Sequence, residues 1–287
     1  MTLISALFGL LTDRLLGNLH EYRRYRWFLD YVDWLRARLG GPLWDGTLGL
    51  LVVLLPPLAV VALLQGWTDD LLFGLVGLLY NVAVFVYCLG PRDLAADVET
   101  YCEVGDSSDE DLRRRAAARL LDGDTPPDDP QATTTLVTRG VLTGANDRLF
   151  AVLFWFIVLG PVGAALYRAT SVLYRERGGE GEFGDSVALL LAILAWIPAR
   201  LTALGYALSG HFDAAMEGWR TAHQTHPQGV EGSERVLAET GLGALDVSVA
   251  EDDEALAPPR AAMRLVWRTL VVWLVGLSLM TLAGWAG

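Results

Sequence analysis

Four side chains stand where polar chemistry is least expected. Asp147 and Arg148 head an uncharged run, Leu149 to Tyr167. Arg200 lies inside the apolar run Val187 to Gly210, and His211 follows directly. An ionisable residue within such a run is a candidate functional residue by default. We therefore take Asp147, Arg148, Arg200 and His211 as a candidate ligand-binding set. Each has a plainer reading. Asp147-Arg148 can simply start a helix at an interface, as charged residues often do. Arg200 can bond carbonyls freed near Pro198, or snorkel toward water.

Other constellations carry less. His223 and His226 have a metal-like spacing, but no third ligand lies nearby and Pro227 follows, so solvated loop histidines are expected. The acids at 109–111 and in the stretch Asp122 to Pro130 lack the calcium-loop spacing and read as solvated loop. No metal or other cofactor is expected. Cys88 and Cys102 give no disulfide framework, and Cys88 in an apolar run reads as a small packed hydrophobe. All 22 basic residues are arginine, so a phosphate loop ending in lysine is excluded. A net charge of −12 argues against a nucleic-acid partner.

The elements that must position these groups are membrane helices. Hydrophobic residues make up 53% of the 287 and charged residues only 20%, gathered between long apolar runs. Leu149 to Tyr167 is close to the ~20 residues that cross a bilayer, and it is apolar all round. Gly160-Pro161 breaks it, so neighbouring helices must satisfy the freed backbone groups. Tyr167 and Arg168 are expected at the interface. Thr47 to Gln65, kinked at Pro56-Pro57, Leu71 to Leu89, Val187 to Gly210 and Leu265 to Ala283 are further spans. Asn81 within the second of these suggests a helix-to-helix hydrogen bond. Residues 1–16 either span or lie in the interface, and no cleavable signal peptide is expected there.

The expected fold is all-α: one polytopic helical membrane domain, 1–287, with about five to six transmembrane helices and helical cytoplasmic loops. Its parts are an N-terminal apolar helix and amphipathic interfacial helix (1–46), two spans (47–89), a polar loop (90–148), two spans (149–210), a second polar loop (211–264) and a last span (265–287). Within the loops, Leu112 to Leu121 reads as a helix, Asp122 to Pro130 as a helix stop and linker, and Glu251 to Glu254 as a solvated charge run. In regions 13–46, 90–148 and 211–264 arginines gather, whereas the opposite side has only Arg168, Arg175 and Arg177. The positive-inside rule places the three regions in the cytoplasm, in a multi-pass protein of the bacterial inner membrane. Membrane lipid is the first partner expected.

Two blocks carry a resemblance. One is Leu149-Phe150-Ala151-Val152-Leu153-Phe154-Trp155 with Leu159-Gly160-Pro161 and Tyr167-Arg168. The other is Trp196-Ile197-Pro198-Ala199-Arg200-Leu201-Thr202-Ala203 with Tyr206-Ala207-Leu208-Ser209-Gly210-His211. Together with Met1-Thr2-Leu3 and Asp13-Arg14-Leu15 they resemble the AmpE regulatory signalling modulators, within the wider CobD/CbiB-like superfamily. The resemblance to AmpE implies an inner-membrane modulator linked to β-lactamase induction and cell-wall recycling, with a cytoplasmic amidase and an unknown small ligand as partners. The CobD/CbiB members make adenosylcobinamide phosphate, and a membrane enzyme of that type is the alternative. Their pattern sets acidic and amide residues where this chain has Arg139-Gly140 and Thr143-Gly144. It sets further aspartates where Tyr174, Leu191 and Ala192 stand, and only Asp147 remains. Without those carboxylates to hold a metal or orient a phosphate, the resemblance implies no catalytic residue and a protein that is not an enzyme.

Overall fold

The computed structural model describes residues 9, 25–40, 44, 46–68, 75–90, 93–105, 109–121, 125–178, 181–224, 229–245 and 257–283. Among them every regular element is helical: α1 (Arg26–Leu39), α2 (Gly46–Thr68), α3 (Leu75–Cys88), α4 (Leu94–Gly105), α5 (Glu110–Leu120), α6 (Pro130–Ala145), a π-helical turn (Asn146–Phe150), α7 (Ala151–Arg177), α8 (Gly181–Ser209), α9 (Phe212–Gln224), α10 (Gly229–Ala244) and α11 (Ala257–Leu282). The all-α architecture is as the sequence predicts. The N-terminal apolar run, apart from Gly9, and the charge run Glu251 to Glu254 lie outside the described residues, as does His226.

Among the described residues, four helical stretches are long and apolar enough to cross a membrane: Gly46–Thr68, Pro130–Arg177, Gly181–Ser209 and Pro258–Leu282. Leu75–Cys88 is a shorter apolar helix. The protein is therefore a multi-pass membrane protein. The expected five to six spans include this shorter helix and the N-terminal run.

The chain forms two compact units. The first comprises Met1–Pro91, Ala151–Ala195 and Leu277–Gly287. Here α1 turns Phe28, Val32 and Leu35 into a core shared with Val53 and Leu54 of α2, Leu173 of α7 and Val187 of α8. Spacings of four and three put these α1 residues on one helical face. Trp27 and Trp34 stay on its exposed face. Pro198 has no N–H for the carbonyl of Leu194, one turn back. The Trp155 indole supplies the missing donor, Nε1 to Leu194 O at 2.9 Å. Gly160, at φ 66° and ψ −154°, interrupts α7 just before Pro161, a conformation that suits glycine.

Two expectations change in this unit. Tyr167 and Arg168 do not reach outward as exposed interfacial side chains; both are buried. Arg168 Nε donates to Cys88 O at 2.7 Å, and Tyr25 Oη donates to Tyr87 O at 2.7 Å. Both bonds satisfy carbonyls that the C-terminus of α3 leaves without helical partners. A capping arginine and a snorkelling one look alike in sequence. Asn81, expected to bond a neighbouring helix, keeps its Oδ1 buried without a hydrogen-bond partner among the described residues.

The second unit comprises Arg92–Phe150 and Trp196–Gly276. Asp109 caps α5, its Oδ1 accepting from Asp111 N and Leu112 N at 3.1 and 3.2 Å. The end of the expected linker is instead the start of α6. Asp129 is its N-cap and Pro130 occupies the first turn, where a missing N–H costs nothing. From Pro130 the chain stays helical through the π turn and on into α7, up to the break at Gly160. Asp147 and Arg148 therefore lie within a helix rather than at its start. Gly140 lets α5 approach: a Cβ there would stand 2.6 Å from Leu120 O.

Candidate functional site

The polar groups of the second unit converge on the π turn. An α-helical Leu142 carbonyl would accept from the Asn146 N–H, four residues on. In this chain that N–H is directed to Thr143 O. The Leu142 carbonyl accepts from the Tyr206 hydroxyl of α8 at 2.8 Å, in a fully buried setting. The Asn146 side chain turns to the same helix, its Oδ1 accepting from Thr202 Oγ1 at 3.1 Å. Two bonds from α8 thus hold the register change, and π turns of this kind are frequent at functional sites.

Arg148 emerges from this turn into the interior. Its Nη1 lies 3.2 Å from Asp97 Oδ2, with the two side chains only 7% and 11% exposed. Asp97 is in the first turn of α4, where the helix dipole favours a carboxylate. Asp93 fixes that turn by accepting from Ala95 N through Oδ1 at 2.9 Å. Gly144, one turn before Arg148, lies beside the guanidinium; a Cβ there would make an ordinary contact, 3.8 Å from Nε. Phe150 closes the far side of the turn by packing on Trp273, with ring centroids 5.3 Å apart. In this low-dielectric setting each charge depends on its partner to offset the cost of desolvation.

The candidate set divides. Arg148 is buried within the cluster, and Asp147 is half-buried on the same turn. Arg200 is two residues from Thr202, but its side chain folds back on its own helix. Nη1 donates to Trp196 O at 3.0 Å, and the guanidinium carbon lies 4.1 Å from the centre of the Trp196 ring. His211 is exposed at the start of α9, where its N–H donates to Ala244 O at 3.0 Å. His223 Nδ1 lies 2.9 Å from Trp219 O of its own helix. Among the described residues, no three His, Cys, Asp or Glu side chains gather as a metal site would require.

Around the cluster, Arg139 of α6 pairs with Glu239 of α10 at 2.9 Å. The Tyr101 hydroxyl lies 3.4 Å from Thr134 Oγ1, and burial pushes its pKa above the ordinary phenol value. Asp97, Asn146, Thr202 and Tyr206 are absent from the sequence-derived set. Asp97 had a signal: Leu94, Val98, Tyr101 and Cys102 define the buried face of α4, and Asp97 falls on it.

Tyr206→Phe isolates one support of the turn. It leaves the Leu142 carbonyl buried without its side-chain donor, which costs about 1–3 kcal/mol. Thermal unfolding in detergent should show the loss, while Tyr174→Phe, a control in the first unit, leaves the π turn's bonds intact.

Comparison with known proteins identifies the family. A family model described as CobD/Cbib protein matches residues 6–238. The cobalamin biosynthesis protein CobD of Chromobacterium violaceum is 32% identical over 85% of this chain and 81% of its own length. The protein of the same name from Stutzerimonas stutzeri is 32% identical over 76% of this chain and 73% of its own. Protein AmpE of Shigella flexneri is 26% identical over 99% of both chains. No solved structure gives a significant match.

These relatives overturn the expectation of a protein that is not an enzyme. The more similar ones are named for cobalamin biosynthesis, and AmpE stands further off. That expectation counted carboxylates only at positions flanking the apolar blocks. Folding brings Asp97, 51 residues from Arg148 in the chain, into the cluster instead. With a family model covering most of its length and CobD relatives at 32% identity, this chain belongs to the CobD/CbiB family.

Proposed function

We propose that this protein is a membrane enzyme of cobalamin biosynthesis, acting where the family makes adenosylcobinamide phosphate. The observation that carries the reading is the 32% identity to Chromobacterium violaceum CobD across most of both chains. The cluster at the π turn supports it. Arg148 is a buried cation, suited to orienting an anionic group of the substrate by charge-assisted hydrogen bonds. Asp97 fixes the guanidinium, and Asp147 on the same turn offers a carboxylate to the ligand. Asn146, Thr202 and Tyr206 set the angle at which these groups leave the helix. Arg200, engaged by Trp196, and His211 at the start of α9 are outer members of the proposed ligand set. The arginine distribution supports a place in the bacterial inner membrane with the long polar regions in the cytoplasm.

A strain deleted for its own CobD tests this. Expression of the wild-type chain should restore growth that depends on endogenous cobalamin, and Arg148→Gln should restore none. Failure of the wild type, at confirmed membrane expression, would reject the proposal. A second reading, control of β-lactamase induction in the manner of AmpE with an amidase partner, is favoured by one observation: the AmpE match extends over 99% of both chains. Unchanged β-lactamase induction after deletion of the gene would dispose of it.

A further inference from the structure

The first turns of α11 carry charge that nothing within the helix explains. Arg260, Arg264 and Arg268 recur every four residues, and the helix contains no Asp or Glu. Like charges at this spacing repel, being about 6 Å apart on the surface. Cations near a helix N-terminus also oppose the helix dipole. The dipole term falls off within the first turn and so bears on Arg260, which has Glu99 beside it, while the mutual repulsion of Arg264 and Arg268 is eased by an anion outside the helix.

The geometry indicates where that anion sits. Ala262, Leu265, Val266, Thr269 and Leu270 bury the inner face of α11. Thr269 packs on α8 where a Cβ on Gly205 would be 2.6 Å from its Cγ2, so the helix cannot roll. Arg264 and Arg268 are consequently fixed on the exposed face. Val271 and Val275 continue the same face, 60% and 54% exposed, as a surface for hydrocarbon. Arg260, at the polar end, lies 3.8 Å from Glu99. From Arg268 to the last helical residue, Leu282, the rise is roughly 21 Å at 1.5 Å per residue, less than a hydrocarbon core of about 30 Å. With Leu282 at the far edge, the Arg268 backbone stands about 9 Å inside the core, and its long stem carries the guanidinium outward toward the headgroup phosphates.

We propose that Arg264 and Arg268 form a docking stripe for anionic phospholipid of the phosphatidylglycerol class, with phosphate oxygens on the guanidinium groups and acyl chains along Val271 and Val275. The inference rests on the membrane-spanning fold and is independent of the proposed reaction. The other occupant to consider is the chain's own acidic run Glu251 to Glu254, which precedes α11 in sequence.

Full-length protein in phosphatidylcholine nanodiscs, titrated with phosphatidylglycerol and followed by native mass spectrometry, decides between them. Each surface arginine contributes about fivefold to association with an anionic leaflet. R264Q/R268Q should therefore lose about twenty-five-fold in preference for phosphatidylglycerol over phosphatidylcholine. R264K/R268K should retain most of that preference, because the charge stays. Inorganic phosphate at equal concentration should not displace the lipid. An unchanged preference in R264Q/R268Q overturns the proposal, as does displacement by free phosphate. A wild-type chain without preference, its arginines being neutralised by its own acids, overturns it too. The unfolding temperature in pure phosphatidylcholine, unchanged in both variants, shows that the fold survives.

Discussion

Arg148→Ala is expected to destabilise the protein by about 3–5 kcal/mol, because it strands the Asp97 carboxylate in a buried site. Desolvating two charges is costly, and only their mutual attraction with further hydrogen bonds offsets it. Removing one partner leaves the cost and deletes the compensation. Asp97→Ala should do comparable damage by stranding the guanidinium. The double variant Asp97→Leu, Arg148→Met removes both charges at similar volume and should recover most of the stability. It should not recover cobalamin-dependent growth. Thermal unfolding in detergent reads the first quantity and complementation the second. A stable and active double variant would make the pair a packing feature only.

Gly218→Val should cost about 3 kcal/mol, through collision rather than charge. A Cβ on Gly218 would press on the Glu239 carbonyl oxygen and stand 2.7 Å from its carbon, all of it backbone. Backbone atoms cannot rotate aside as a side chain end can, so α9 and α10 must separate. Gly243, whose Cβ would meet the backbone of Ala214, makes the reciprocal contact. Separation would also strain the neighbouring Arg139–Glu239 pair, since Glu239 supplies both contacts. Gly276→Ala is the matched control. Nothing lies within 4 Å of its added methyl, and the better helix propensity of alanine should stabilise by up to about 1 kcal/mol. Equal losses at both positions would contradict the close-packed reading of α9 and α10.

What the sequence reveals here depends on range. The absence of charge from Leu149 to Tyr167 makes a membrane-spanning helix legible, because the signal lies wholly within one run. The start of that helix is not legible from the same signal. Pro130 closes an acidic, proline-rich stretch and looks like a stop, whereas Asp129 and Pro130 together start α6. The π turn leaves no periodic trace, since Asn146 to Phe150 is too short for one and its support comes from Thr202 and Tyr206 on another helix. Arg168 is misread for a related reason. Its partner, the Cys88 carbonyl, lies 80 residues away in the chain. Asp147 and Arg148 are legible as unusual, while the carboxylate that fixes Arg148 comes from α4 and has only its place on an apolar face to betray it.

The amount of adenosylcobinamide phosphate in a CobD-deletion strain that carries this chain reads the proposed reaction directly. The wild type should accumulate it to the level given by an authentic CobD, and Arg148→Gln, present in the membrane at equal amount, should leave it at the background of the deletion strain. Background levels with the wild type, or full levels with Arg148→Gln, would contradict the account.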